Sequence, residues 1–68
     1  MAQRFAIAAA ARAEAVEVYG HDFAESILGL VDARRGLYAP VCADAAGNVY
    51  LDESRARPVW GDMLEVVR

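Results

Sequence analysis

Fifteen of the chain's 39 apolar residues are alanine, leaving only 24 larger apolar side chains to fill an interior. That shortage constrains the fold more than any motif does. Alanine lets elements approach closely but buries little area, and hydrophobic stabilisation scales with area removed from water. At 68 residues the chain has room for one small domain, residues 1–68, and a domain this short buries only about 60% of its unfolded surface. A Rossmann domain, or a phosphate-binding loop with its supporting sheet, does not fit in this length. One cysteine rules out an intrachain disulfide and a multi-cysteine zinc site.

Ten acidic residues stand against seven arginines with no lysine, a formal net charge of −3. Nucleic-acid binding needs a basic footprint, so direct contact with nucleic acid is not expected. The opening residues Met1-Ala2-Gln3-Arg4-Phe5 followed by alanines imitate a secretion signal. The apolar run from Phe5 to Ala11 is short, however, and Arg12 ends it, so no signal peptide is expected. Nothing approaches the roughly 18 apolar residues of a membrane span. The expected setting is cytoplasmic, without membrane contact.

Residues 3–19 predict a helix, because alanine is the best helix former and no glycine or proline interrupts before Gly20. Phe5, Ala9, Arg12, Ala13, Val16 and Tyr19 fall on one face, and Ile7, Ala11 and Val18 form a second apolar strip. A helix apolar around most of its circumference expects neighbours on more than one side. A homodimer through its alanine-lined side is therefore expected. Gly20-His21 breaks the element, and Asp22 with Glu25 three residues later has capping-box spacing. A second helix is expected to about Arg35, with Phe23, Ala24, Ile27, Leu28, Leu30 and Val31 on its apolar face. Gly36 is placed to stop it.

Beyond Gly36 the pattern favours strands. Leu37–Ala43 and Val49–Asp52 flank Asp44-Ala45-Ala46-Gly47-Asn48, a hairpin loop in which Gly47 or Asn48 can take positive φ. Pro40 cannot donate to a ladder, so its strand should lie at an edge or carry a bulge. Val59-Trp60 suggests a short strand, and Val66-Val67 tips the tail toward another. The fold class expected is α+β: two N-terminal helices, then a small antiparallel sheet of two or three strands.

Cys42 and His21 are the strongest nucleophile and base types present, but no glycine elbow or flanking motif accompanies them. Cys42 is better explained as a small packed side chain, and no enzymatic activity is expected. The Asp44–Asn48 loop has alanine where a calcium loop needs oxygen ligands, so neither a metal nor a cofactor is expected. The carboxylates are more suggestive. Glu14 and Glu17 line the polar strip of the first helix, and Glu25 and Asp32 that of the second. Together they make the candidate partner-binding face, suited to a protein with a basic surface. Arg34, Arg35, Arg55 and Arg57 could instead meet phosphate or a carboxylate-rich partner. Trp60 is expected in the core, with one tyrosine exposed.

No motif is long enough to place the chain in a family. In size and charge alone it resembles phage-encoded inhibitors such as anti-CRISPR proteins, and small antitoxins. That analogy points to a non-enzymatic, protein-binding inhibitor of the phage or mobile-element kind, which occludes a site on a macromolecular partner. The alternative is a small antitoxin or a transcriptional or accessory regulator that uses its arginines.

Overall fold

A computed structural model describes residues 3–68. The chain runs β1 (Arg4–Ile7), a 3-10 turn (Ala9–Ala11), α1 (Arg12–Tyr19), α2 (His21–Glu25), β2 (Ile27–Asp32), β3 (Leu37–Ala43), β4 (Val49–Leu51), a second 3-10 turn (Glu53–Arg55), β5 (Arg57–Pro58), a third (Gly61–Met63), and β6 (Leu64–Val66). The six strands form one antiparallel sheet in the order β4-β3-β2-β1-β6, with β5 also against β3. The molecule is thus mostly sheet, and the expectation of two long helices with two or three strands is overturned.

Two segments account for the difference. Residues 4–7 read Arg-Phe-Ala-Ile, an alternation that puts Phe5 and Ile7 on one side of a strand. Pairing on both edges, with β2 and β6, outweighs alanine's helix preference, which is below about 1 kcal/mol per residue. Ala8, with φ −59° and ψ 142°, is extended, and helix begins only after it. Residues 27–31, Ile-Leu-Gly-Leu-Val, are a short continuous apolar run. Periodicity cannot tell such a run from a buried helix when it is really an interior strand. The glycine within it and the β-branched residues at its ends favour the strand.

The helical pieces are accordingly short. Gly20 (φ 94°) ends α1 and stands as the first flanking residue of α2. Asp22 therefore lies inside the first turn of α2 and does not cap it. Gly36 (φ 63°) does not stop a helix but turns β2 into β3.

The helices cover one face of the sheet. Ile7, Ala15, Phe23, Ala24, Leu28, Val59 and Met63 form the buried cluster, with Phe5, Tyr19, Tyr38 and Leu64 packed against it. Ala15 and Ala24 are almost wholly buried. Their small size lets the helices sit close on the strands, which is what the alanine-rich composition accomplishes. Phe5 and Tyr38 meet edge to face, ring centres 5.6 Å apart. Trp60, expected in the core, is 54% exposed, beside Tyr19 at 6.4 Å. Val16 and Val18 of α1 are also exposed.

Pro40 sits in an interior strand and not at the edge its missing N–H suggests. The register shift in the ladder of β3 with β2 falls between Leu30 and Asp32, away from Pro40. Pro40 is fully buried opposite Leu28. The far side of β3 resolves the conflict, because it is shared by two partners. β4 pairs with Val41–Ala43, and β5 pairs with Leu37 and Tyr38. Pro40 falls in the gap between them. Its carbonyl accepts the Asp52 N–H at 3.0 Å, and the reciprocal bond that proline cannot make is where the β3–β4 ladder ends.

Candidate functional site

The sheet face turned away from the helices is largely uncovered. Register places Arg4 beside Gly29, Gly29 beside Ala39, and Val41 beside Leu51. Val67 donates its N–H to the Arg4 carbonyl at 3.0 Å. Alternation along each strand then sets Arg4, Gly29, Val41, Val49, Leu51 and Val67 on this same face. They bound a groove of about 950 Å³. Its wall takes in both β4 and the β1–β6 end of the sheet, so the sheet curls until its two outer strands flank one space.

Gly29 shapes the groove floor. A Cβ at this position would collide with the Leu51 Cδ2 methyl. Leu51 therefore lies over β2 in space only glycine leaves free. Across the groove, Arg4 is the one charged residue in its wall among the described residues. No ion pair within 4.0 Å engages it. Glu65 lies diagonal to Arg4 on the same face, as its pairing with Ala6 shows, but it does not line the groove.

The hydrogen-bond phase of the two outer strands follows from the bonds that bracket them. Asp52 N–H to Pro40 and Asp44 N–H to Asn48, both 3.0 Å, make Cys42–Tyr50 the mutually bonded pair of the β3–β4 ladder. The N–H and C=O groups of Val49 and Leu51 consequently point outward. On β6, the bonds Ala8 N–H to Met63 at 2.7 Å and Val67 N–H to Arg4 place Ala6–Glu65 in the bonded phase. Leu64 and Val66 then point outward. Both edges are open, but they differ. β6 carries Glu65 at its centre, whereas β4 is Val-Tyr-Leu with Val49 56% and Tyr50 51% exposed. The β4 edge is short, which limits pairing, but it carries neither the charge nor the proline that guard other edges against another chain.

The hairpin loop holding β4 is well tied. Asp44 Oδ1 accepts the N–H groups of Ala46 and Asn48, each at 2.9 Å, and Gly47 takes the positive φ of 86°. These bonds, that from Asn48 foremost, hold the Asp44 carboxyl below its ordinary 3.8. Asp52 just beyond β4 is likewise lowered, first by the Ser54 hydroxyl and then by the Arg55 charge.

A second, smaller cleft of about 280 Å³ lies at the α1–α2 corner, between Tyr19–Phe23 and the arginines Arg55 and Arg57. Its basic side chains already have partners. Arg55 Nε is 3.1 Å from Asp52 Oδ2, Arg57 donates to the Ala56 carbonyl at 2.9 Å, and His21 Nε2 is 3.4 Å from Glu25 Oε1. Tyr19 in this wall has its pKa raised above 10.0 by burial and, secondarily, by the charge of Glu14.

The four carboxylates picked out by the sequence do not form one helical face. Glu14 and Glu17 share α1, exposed and without an ion pair among the described residues. Glu25 ends α2, where it lies 4.0 Å from Arg12 and close to His21. Asp32 is not on a helix. It ends β2, accepts the Arg34 N–H at 3.0 Å and lies 3.8 Å from Arg35. Seven residues in a largely extended segment span on the order of 20 Å, against about 10 Å in a helix, so Glu25 and Asp32 lie at opposite ends of β2. Cys42 is half-buried on β3 with its Sγ 3.9 Å from the Pro40 carbonyl. Among the described residues no group of three or more metal-ligating side chains gathers, and no helix is long and apolar enough to cross a membrane.

The groove residues Arg4, Gly29, Val41, Val49 and Leu51 escape the sequence reading, although Val41/Ala43 and Val49/Leu51 carry a period-two signal. Comparison with protein families, curated proteins and solved structures finds no match.

Proposed function

We propose that this chain is a non-enzymatic protein-binding module, acting in the cytoplasm as a small inhibitor that occludes a site on a partner protein. The observation that supports it best is the open sheet face: an apolar groove beside a strand edge that carries neither charge nor proline. A face of this kind exposes to water what other sheets bury, and such patches mark interaction surfaces. Glu14 and Glu17 remain available for a basic rim on the partner, where charges act more on association rate than on affinity.

Capture of partners on the immobilised protein, followed by affinity measurement with the recovered protein, tests this. Val49→Arg places a charge on the face at an exposed position and should weaken binding at least tenfold with little change in melting temperature. The pair Glu14→Lys and Glu17→Lys should slow association and leave the dissociation rate nearly unchanged. If instead the lysine pair abolishes binding and Val49→Arg leaves it intact, the acidic side of α1 is the contact surface and the open face is not.

A further inference from the structure

We infer that the occupant of the open face is an extended segment of the partner that adds to the free edge of β4 and sets a carboxylate against Arg4. This rests on the protein-binding reading above and specifies its ligand. Val49 and Leu51 turn their N–H and C=O groups outward from the β3–β4 ladder. That is the spacing an added strand uses, since every second residue of an edge bonds to the same side. The segment's alternate side chains then enter a groove walled by Val41, Val49 and Leu51. Apolar residues suit those positions.

Arg4 supplies the polar determinant. It is the one charge in the groove wall among the described residues and no ion pair engages it. A guanidinium beside apolar walls is matched by a carboxylate, which its planar fork binds in two places. A second copy of this chain fits less well. The Val-Tyr-Leu edge brings no acid of its own, and the nearest, Asp52, is already held by Ser54 and Arg55. Nucleic acid is also disfavoured, because one arginine cannot neutralise a phosphate backbone.

The test uses immobilised peptides about eight residues long, near the length of a common strand, alternating valine and threonine. A single glutamate is walked along the peptide, with matched glutamine peptides, and a further set ends in free or amidated carboxyl groups. Binding should favour the carboxylate over its neutral counterpart by roughly tenfold at one position. Preference within the glutamate set marks a side chain, and preference within the terminal set marks a chain end. The preference should vanish in Arg4→Gln. Methylating the peptide's backbone nitrogens should abolish binding at every second residue only. Val49→Pro should also abolish it while leaving the fold intact, because it removes an outward N–H and spares the bonds to β3. Should that variant fail to fold, the methylation series still decides.

Equal binding of carboxylate and neutral peptides in both the glutamate set and the terminal set, or methylation that is harmless throughout, overturns the inference. So does sedimentation showing self-association that Arg4→Gln leaves unchanged and that competes with peptide, which would make a second copy the occupant. If no peptide binds while a captured protein partner remains sensitive to Val49→Arg, the protein-binding reading stands and this inference alone falls.

Discussion

Replacing Gly29 with valine should destabilise the protein, whereas the helix predicted for residues 22–35 would tolerate or welcome the change. In a helix interior glycine is the poorer residue by several tenths of a kcal/mol. In the observed strand, a Cβ at position 29 meets the Leu51 Cδ2 methyl, and valine adds two further methyl groups. Leu51 is half-buried and must swing off β2, forfeiting about 1 kcal/mol of burial. Because the atoms in the way are the methyls of a movable side chain, the strain left after Leu51 shifts is at the low end of overpacking costs, about 1 kcal/mol. Valine's strand preference and the lost freedom of glycine in the unfolded chain return about 1 kcal/mol. The net expectation is a loss of about 1 kcal/mol, or roughly 6 °C in melting temperature for a domain of this size. Thermal and urea unfolding of Gly29→Val, Leu51→Ala and the double variant measure it. The double variant should recover at least about 1 kcal/mol relative to additivity, because Leu51→Ala vacates the contested space. A neutral or stabilising Gly29→Val, or strictly additive behaviour, would refute the close approach of β4 to β2.

Asp44 and Asp52 have lowered folded-state pKa values, so their contribution to stability is complete above about 3.8 and lost as pH falls through the folded values. Melting temperature should therefore drop below pH 3.8, and less steeply in Asp44→Asn, as a calorimetric pH series will show. Glu14→Gln should lower the titration midpoint of Tyr19, followed by NMR, yet leave it above 10.0, since burial is the larger cause of its shift. Trp60 is the sole tryptophan and exposed, so native fluorescence should be red-shifted and iodide should quench it strongly. A blue-shifted, protected emission would return Trp60 to the core.

What could be read from the sequence depended on how much each signal was local. The β3–β4 hairpin has its information within Asp44–Asn48: an acid to collect N–H groups, a glycine for positive φ, and alternating residues either side. Phe5 and Ile7 carry an alternation only two residues deep, inside a stretch whose alanines favour helix, and a partner strand sixty residues away decides the matter. Ile27–Val31 is apolar on both sides, yet only Leu28 and Gly29 at its middle are buried, while Ile27 and Leu30 are exposed. Its pairing with β1 and β3 is a tertiary fact, and Gly29 with the β-branched Ile27 and Val31 were its local traces. Pro40 obeys the rule about missing donors, but through a gap between β4 and β5 that local sequence does not announce. The grouping of the four acids on two helix faces is lost for the same reason as the second helix. Once β2 is extended, Glu25 and Asp32 separate: Glu25 lies beside Arg12 of α1, and Asp32 beside Arg35 in the turn that follows it. Arg4 could not have been singled out, because its meaning comes from the groove it faces.

Amide hydrogen exchange across β4 tests the central claim most directly, that the open face and its free edge are where a partner binds. In the free protein the Tyr50 N–H, bonded to β3, should exchange slowly, while those of Val49 and Leu51 exchange rapidly. On adding the captured partner, Val49 and Leu51 should become protected, with little change in the already slow Tyr50. Protection confined to α1, with the Val49 and Leu51 amides still exchanging freely, would contradict the account.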